Sequence, residues 1–169
     1  QLARNEDFQL DNPEHIASFN FWIPPTPSVH SKADAKRIAV PNRNLYESLG
    51  CGHILRRAIA DYGDKIALVG NCVSPTLAFY IYFRGMEQGL TDLIDDAPLV
   101  HAVMEKGEAF AIDGGKFKID AGIRILRLND SAANMSVISP PHWKQFIFPH
   151  FKVVCDELHR YCPDVKIYC

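Results

Sequence analysis

The sequence predicts an α/β fold in which parallel strands are covered by helices. The first observation is that helical and strand patterns alternate along the chain. The second is that each connection is long enough to cross over between parallel strands. The third is that the strand candidates are short and almost wholly apolar, which is typical of strands covered on both faces.

The first half of the regular chain contains one complete helix, strand and helix start. A helix is predicted over 45–62, where apolar residues recur at helical spacing and Gly63 is the expected C-cap. The run KIALVGN at 65–71 is the first predicted strand. The helix after it is predicted to begin with Ser74 as N-cap and Pro75 at the first helical position.

The second half repeats this order. A helix is predicted from near Pro98 to about 121–122, with the double glycine at 114 and 115 as its weak point. The run ILRL at 125–128 is the second strand. Ser139–Pro140 then marks the start of a helix with a clear apolar stripe, and VKIYC follows as the third strand.

The number of strands is too small for a closed barrel. A (β/α)8 barrel needs eight strands and about 250 residues, whereas this chain of 169 residues supplies three or four strands. We therefore expect a fragment, about half, of a TIM-type barrel over residues 45–169, ending within a strand. Residues 1–44 are rich in proline, and Phe19, Phe21 and Trp22 predict an irregular segment packed on the barrel.

Composition narrows the possible partners and location. A net charge of −2 argues against nucleic acid or an anionic membrane as the main partner. The apolar runs are far shorter than the roughly 20 residues needed to span a bilayer. Five cysteines, an odd number, without a secretion pattern favour free thiols and a cytoplasmic location.

The segments after the two internal strands are candidates for a functional site, because function in parallel α/β folds collects at the carboxyl ends of strands. Asn71 follows the first strand, and Asn129, Asp130 and Ser131 follow the second. The loop from 129 to 138, which also contains Met135, exceeds the usual 2–6 residues of such connections. Asp130 is suited to accepting protons or orienting a polar substrate, but aspartate in this position is also a common turn or capping residue.

Two segments resemble a known family. ALVGNCVSPTLAFYIYFRGMEQGLTDLIDDAPLVHAVME and AGIRILRLNDSAANMSVISPPHWKQFIFPHFKVVCDELHRY are similar to the proline–threonine–leucine helix and the strand, acidic loop and ISP helix of the uroporphyrinogen decarboxylase superfamily. This superfamily has a (β/α)8 barrel and includes the decarboxylases and zinc-dependent corrinoid methyltransferases. The sequence around Ser74 lacks the tryptophan of the decarboxylases, and the loop after Leu128 looks more like the methyltransferase branch.

The resemblance implies specific roles. Tyr80 matches a substrate-contacting tyrosine of the decarboxylases, and Ser131 matches their strand-end serine. Together with the strand-end positions, this leads us to expect catalytic roles for Asp130 and Ser131 and substrate binding by Asn71, Tyr80, Asn129 and Met135. The enzyme would transfer methyl groups between cobalamin on a corrinoid partner protein and a small acceptor, such as a thiol or tetrahydrofolate. Its zinc ligands would lie after Cys169, outside this chain.

Three alternatives stay open from the sequence. The first is uroporphyrinogen decarboxylase itself, which needs no metal or cofactor. The second is a non-catalytic partial barrel that binds a partner through its exposed last strand. The third is a metal site at Cys155, His159 and Cys162, which lie one helical turn apart, although the two cysteines also fit the apolar stripe of the helix.

Overall fold

The computed structural model describes residues 8–17 and 27–169. The aromatic residues Phe19, Phe21 and Trp22 lie outside the described residues. The helices are α1 (Pro13–Ala17), α2 (Lys32–Arg37), α3 (Arg43–Ser48), α4 (Cys51–Tyr62), α5 (Leu77–Arg84), α6 (Met86–Asp95), α7 (Ala97–Ala121), α8 (Pro140–His142) and α9 (Phe148–Tyr161). The strands are β1 (Val69–Asn71), β2 (Ile125–Arg127) and β3 (Lys166–Tyr168).

The three strands form one parallel sheet in the order β1-β2-β3. Gly70 pairs with Leu126, and Leu126 pairs with Ile167. These central residues face the helices, and Leu126 is fully buried. The predicted alternation of helices with parallel strands is confirmed, and the connections that carry α7 and α9 are the crossovers.

The first strand was predicted to be covered on both faces, and within the described part of the chain helices cover one of them. Only Gly70 of β1 is buried, while Val69 is 47% exposed. The strand is also shorter than predicted, because Lys65 and Ile66 donate backbone hydrogen bonds to the Tyr62 carbonyl and prolong the turn after α4. Helices therefore cover one face of the sheet, and the other face is open. In a closed barrel that second face lines the interior.

The start of α5 also differs from the prediction. Thr76 is the N-cap and Leu77 the first helical residue, so Ser74 is not the cap and Pro75 lies before the helix. The side chain of Thr76 makes no capping bond of its own, and a carboxylate from the loop after β2 takes its place. A cap supplied from elsewhere in the chain leaves no local pattern at 74–76.

Two glycines with positive φ divide the predicted helices. Gly50, at φ 76°, separates α3 from α4, and Gly85, at φ 85°, separates α5 from α6. In contrast, α7 continues through the double glycine. An added Cβ at Gly115 would lie 2.7 Å from Leu158 Cδ2, so this glycine is where α9 packs closely against α7.

The start and end signals at Ser139 and Gly63 are confirmed. The Ser139 hydroxyl accepts a hydrogen bond from the His142 amide, and Gly63 is the C-cap of α4. A π-helical turn over Trp143–Ile147 joins α8 to α9. This turn lies next to the strand ends, and it shifts the aromatic residues of the segment away from regular α-helical spacing.

Within residues 8–17 and 27–44, the N-terminal segment contains helical turns and packs on the rest of the chain. Ser28 and Val29 donate backbone hydrogen bonds to the Phe83 carbonyl at the end of α5. Val29 and Ile38 are buried in the larger hydrophobic core, which α5 and α7 dominate. Among the described residues, no helix is both long and apolar enough to cross a membrane.

Candidate functional site

The carboxyl ends of all three strands meet at one edge of the sheet. Asn71, Arg127 and Tyr168 are in register at the last position of each strand. Beyond them, the Cys72 amide donates to the Arg127 carbonyl at 2.8 Å, and the Leu128 amide donates to the Tyr168 carbonyl at 2.9 Å. The loops after β1 and β2 and the residue after β3 therefore start side by side.

A cavity of about 520 Å³ opens beside these strand ends. Its walls come from the loop after β2, the π-helical turn and α9, and the residue after β3. It is lined by Asn129, Asp130, Ala133, Trp143, Ile147, Phe148, Phe151, Lys152, Cys155, Asp156 and Cys169. Apolar side chains with a few polar groups are typical of small-molecule sites.

Asn129 and Asp130 are the two predicted site residues that the structure brings into this cavity. The sequence analysis missed its aromatic wall of Trp143, Phe148 and Phe151. The available signal was a cluster of aromatic residues in the first turns of the helix that follows the long loop. Phe148 and Phe151 belong to the apolar stripe of that helix, and Trp143 lies outside it.

Asp130 is held by groups from two separate segments. Its carboxylate accepts a hydrogen bond from the Thr76 hydroxyl at 2.6 Å and from the Ala78 amide at 2.9 Å. The Ala132 amide donates to the other oxygen at 3.1 Å. Asp130 thus caps the N-terminus of α5, where a negative charge is favourable, and it fixes its own loop at the same time.

Burial raises the pKa of Asp130 above its ordinary value, while the hydrogen bonds from Thr76, Ala78 and Ala132 oppose this rise. The carboxylate lies between the polar end of a helix and an apolar cavity. It therefore combines a structural role with a position from which it can contact a ligand.

Two thiols lie next to each other in the same cavity. Burial, together with the neighbouring Cys169 and Asp156, raises the pKa of Cys155 to about 11. Burial also raises the pKa of Cys169, while a hydrogen bond from Cys155 lowers it. Raised values keep both thiols protonated at neutral pH, and a protonated thiol is a poor nucleophile and a poor metal ligand.

The other predicted residues near the strand ends lie outside this cavity lining. Asn71 is exposed on the open face of the sheet. Ser131 and Met135 are exposed on the loop after β2, and Met135 is 59% exposed. Their proposed roles stay predictions.

Tyr80 is fully buried in α5 and does not line this cavity. Its hydroxyl donates a hydrogen bond to Asp92 at 2.5 Å. Arg84 and Gln88 also donate to the Asp92 carboxylate, at 2.6 and 2.8 Å. The substrate-binding role that the resemblance implies for Tyr80 stays a prediction, and the structure gives its hydroxyl a partner within the protein.

The described residues form no group of three or more histidine, cysteine, aspartate or glutamate side chains that could hold a metal ion. This includes the candidate helix positions. The His159 ring contacts the Cys155 carbonyl at 2.9 Å, and its side chain is exposed. The residues in this part of the chain do not by themselves fit a zinc ion.

Comparisons with known proteins agree with this architecture. The family model for uroporphyrinogen decarboxylase (URO-D) matches residues 23–169. A comparison with curated proteins gives no significant match. Among solved structures, a methyltransferase from Methanosarcina mazei is similar with a TM-score of 0.63 and 15% sequence identity.

The similarity to that structure covers 72% of this chain but only 36% of the methyltransferase chain. At this identity it shows the fold alone, and the chain corresponds to about a third of the length of its structural neighbour. Three parallel strands with helices on one face are accordingly a fragment of a (β/α)8 barrel. Because the family model matches most of the sequence, the chain belongs to the uroporphyrinogen decarboxylase (URO-D) family.

Proposed function

We propose that this chain is part of an enzyme that transfers a methyl group between a corrinoid protein and a small acceptor such as a thiol or tetrahydrofolate. The observation that carries the proposal is the cavity beside the strand ends, with Asn129 and Asp130 on one wall and three aromatic rings on the other. Membership of the URO-D family and the structural likeness to a methyltransferase support it.

The reaction itself places modest demands on the protein. When bound, the methylated corrinoid would supply the methyl group. With a thiol acceptor, a C–S bond would form as the Co–C bond breaks, its electron pair would stay with the corrinoid, and the thiol proton would pass to solvent. An apolar wall excludes water, and a hydrogen-bonded carboxylate such as Asp130 orients the acceptor beside it.

Zinc would supply a Lewis acid that favours the thiolate form of the acceptor. Since the described residues do not assemble a zinc site, its ligands are proposed to come from the protein beyond Cys169. The present residues contribute binding and orientation. The corrinoid would be carried by its own protein, docked at the carboxyl ends of the strands.

Decarboxylation of uroporphyrinogen is the second candidate, since the matching family model carries that description. The charges of the cavity favour methyl transfer instead. Among the described residues, Asp130 and Asp156 line it with a single cation, Lys152, which is already paired with Asp156 at 2.5 Å. An acidic tetrapyrrole would require an excess of basic groups here.

The test is an assay of the natural-length protein with free methylcobalamin and a thiol. Methyl transfer is expected to convert methylcobalamin to cob(I)alamin in anaerobic solution, which visible spectroscopy detects. Uroporphyrinogen should be supplied in a parallel reaction, with loss of its carboxyl groups followed by chromatography. Decarboxylation without any methyl transfer would replace the proposal with the second candidate.

Metal content provides a separate test. Elemental analysis of the dialysed natural-length protein should find about one zinc per chain, since thiolate and imidazole ligands form a tight site with one open position. A chelator should then abolish methyl transfer. Metal-free protein with full methyl-transfer activity would remove zinc from the proposal.

A further inference from the structure

The open face of the sheet has a polar row at its carboxyl edge. Asn71, Arg127 and Tyr168 occupy the same register position on the three adjacent strands, and all three are exposed. The next row on this face, two residues earlier, consists of Val69, Ile125 and Lys166. Neighbouring strands are about 4.8 Å apart, so the side chains of one row are within reach of the same small group.

Arg127 is the charged member of this row, and it has no ion pair within the part of the chain that the structure describes. Asp130, three residues later, does not serve as its partner. The oxygens of that carboxylate accept hydrogen bonds from Thr76, Ala78 and Ala132 instead. An arginine that faces the interior of a barrel needs an anion beside it, because an unpaired charge in a confined site is costly.

We propose that Asn71, Arg127 and Tyr168 bind a carboxylate group of the small-molecule substrate inside the barrel. A guanidinium presents a planar pair of N–H donors that matches a carboxylate. The amide of Asn71 and the hydroxyl of Tyr168 add donors on either side of it. The row lies at the carboxyl ends of the strands, beside the loop of Asn129 and Asp130. The inference rests on the proposed function and names a substrate class for it. The row lies at the same end of the strands as the cavity, but on the open face of the sheet and outside the cavity lining.

The alternative is that a carboxylate from elsewhere in the protein neutralises Arg127. In that case the arginine would stabilise the fold and would not contribute to ligand binding. The two possibilities differ in what a substitution changes: the free energy of unfolding in one case, and the affinity for a carboxylate ligand in the other.

The experiment measures binding to the natural-length protein by isothermal titration calorimetry. The probes are 3-mercaptopropionate and its methyl ester, which share the thiol and differ in the negative charge. The wild-type protein should bind the acid more tightly than the ester. Arg127→Gln should weaken binding of the acid by about tenfold or more, since hydrogen bonds to charged groups are among the stronger ones, and should leave binding of the ester unchanged.

Lys166→Gln is the matched control, because it removes one positive charge from the same open face in the other row. If Lys166→Gln lost as much affinity for the acid as Arg127→Gln, the effect would be one of overall positive charge, and the assignment would be overturned. Arg127→Lys should recover only part of the affinity, since it retains the charge and loses the paired donors. Tyr168→Phe and Asn71→Ala keep the inference testable if Arg127→Gln does not fold. Each should weaken binding of the acid and leave binding of the ester unchanged.

Equal affinity of the wild-type protein for acid and ester, or no detectable binding of either, would overturn the inference. Unfolding of Arg127→Gln with unchanged acid binding in Tyr168→Phe and Asn71→Ala would overturn it as well. Binding is measured without methylcobalamin. Selective binding of the acid by a protein that transfers no methyl group would therefore support the inference while the proposed function fails.

Discussion

Asp130 accepts a hydrogen bond at 2.6 Å from Thr76, a residue 54 positions earlier in the chain. The bond joins the loop after β2 to the segment between β1 and α5. The same carboxylate accepts from the Ala78 amide in the first turn of α5. Two neighbouring strand-end loops are thereby fixed to each other, and Asn129 and Asp130 are held at the wall of the cavity.

Asp130→Ala is expected to lower the free energy of unfolding by about 1–3 kcal/mol, because it removes the cap of α5 and leaves the buried Thr76 hydroxyl without its partner. Thr76→Val should have a smaller effect of about 1 kcal/mol. Chemical denaturation of the two single variants and the double variant measures the coupling. Strictly additive effects would mean that the hydrogen bond contributes nothing to stability.

Asp130→Asn separates the structural from the catalytic contribution. The amide retains one oxygen acceptor for the backbone of α5, so most of the stability should remain. If Asp130 also orients substrate, methyl transfer should fall far more than stability does. Normal activity in a folded Asp130→Asn variant would limit Asp130 to the structural role.

The sequence was sufficient to predict the order of elements and the position of Asp130, because both depend on local patterns. Apolar runs mark β1 and β2, and Ser139–Pro140 caps its helix from adjacent residues. The start of α5 was mispredicted for the opposite reason. Its cap comes from a residue distant in sequence, and a hydrogen bond between distant loops leaves no pattern near Ser74 or Pro75.

The cavity was predicted only in part, for a similar reason. The loop of Asn129 is long and polar, and this property is visible in the sequence. The aromatic wall depends on how the π-helical turn orients Trp143 relative to the strand ends, and a periodic pattern does not distinguish a ring in a cavity from a ring in the core. The burial of Tyr80 against Asp92 likewise depends on the break at Gly85.

Asp92 should make the protein sensitive to acid. Its side chain is nearly completely buried, and burial by itself raises its pKa. The hydrogen bonds from Arg84, Tyr80 and Gln88 outweigh burial and bring the pKa below its ordinary value. A lowered pKa stabilises the fold at every pH above about 3.9, the unfolded value. This stabilisation should be lost as the pH falls from there through the folded pKa.

Asp92→Asn should destabilise the protein by about 3 kcal/mol at neutral pH, because it leaves the Arg84 charge partly buried without its counter-ion. Asp95→Asn, one exposed position on the same helix, is the matched control and should have little effect. Denaturation midpoints measured between pH 2 and pH 7, roughly the range in which carboxylates titrate, test both expectations. If the stability of Asp92→Asn falls at low pH as much as that of the wild-type protein, other carboxylates are the source of the acid sensitivity.

A chain of three titratable groups joins α7 to α9. Buried His150 contacts Glu108 through Nδ1 at 2.5 Å and His101 through Nε2 at 2.9 Å. Glu108 accepts from the protonated Nδ1, so the neutral His150 accepts through Nε2 from the His101 N–H. If both rings were fully protonated, His101 Nδ1 and His150 Nε2 would both carry a hydrogen, and two donors would face each other.

His101 should therefore link stability to pH near neutrality. Burial lowers the pKa of His101, and the adjacent His150 ring lowers it further, because two positive charges on neighbouring rings would repel each other. His101 is then protonated at a higher pH in the unfolded chain than in the folded protein. The free energy of unfolding should therefore fall as the pH drops below about 6.5 toward the folded pKa. His101→Gln should flatten this part of the curve, whereas His53→Gln, at an exposed site on α4, should not. An unchanged slope in His101→Gln would exclude the histidine chain as its source.

Gly107 and Gly114 lie on the same helix, α7, and substitution of each by alanine should have opposite results. An added Cβ at Gly107 would lie 2.1 Å from the Pro75 carbonyl oxygen, which belongs to the backbone just before α5. Gly107→Ala should therefore lower the free energy of unfolding by about 3 kcal/mol, since backbone has to move.

At Gly114 the nearest atoms, Lys118 Nζ and Tyr46 Oη, would be 3.6 and 3.7 Å away. Gly114→Ala should be neutral or stabilising by up to about 1 kcal/mol, because alanine is the better helix former. Thermal and urea denaturation of the two variants compare them directly. Equal effects would mean that α7 does not approach the start of α5 as closely as described, and the position of Thr76 beside Asp130 would then lose its support.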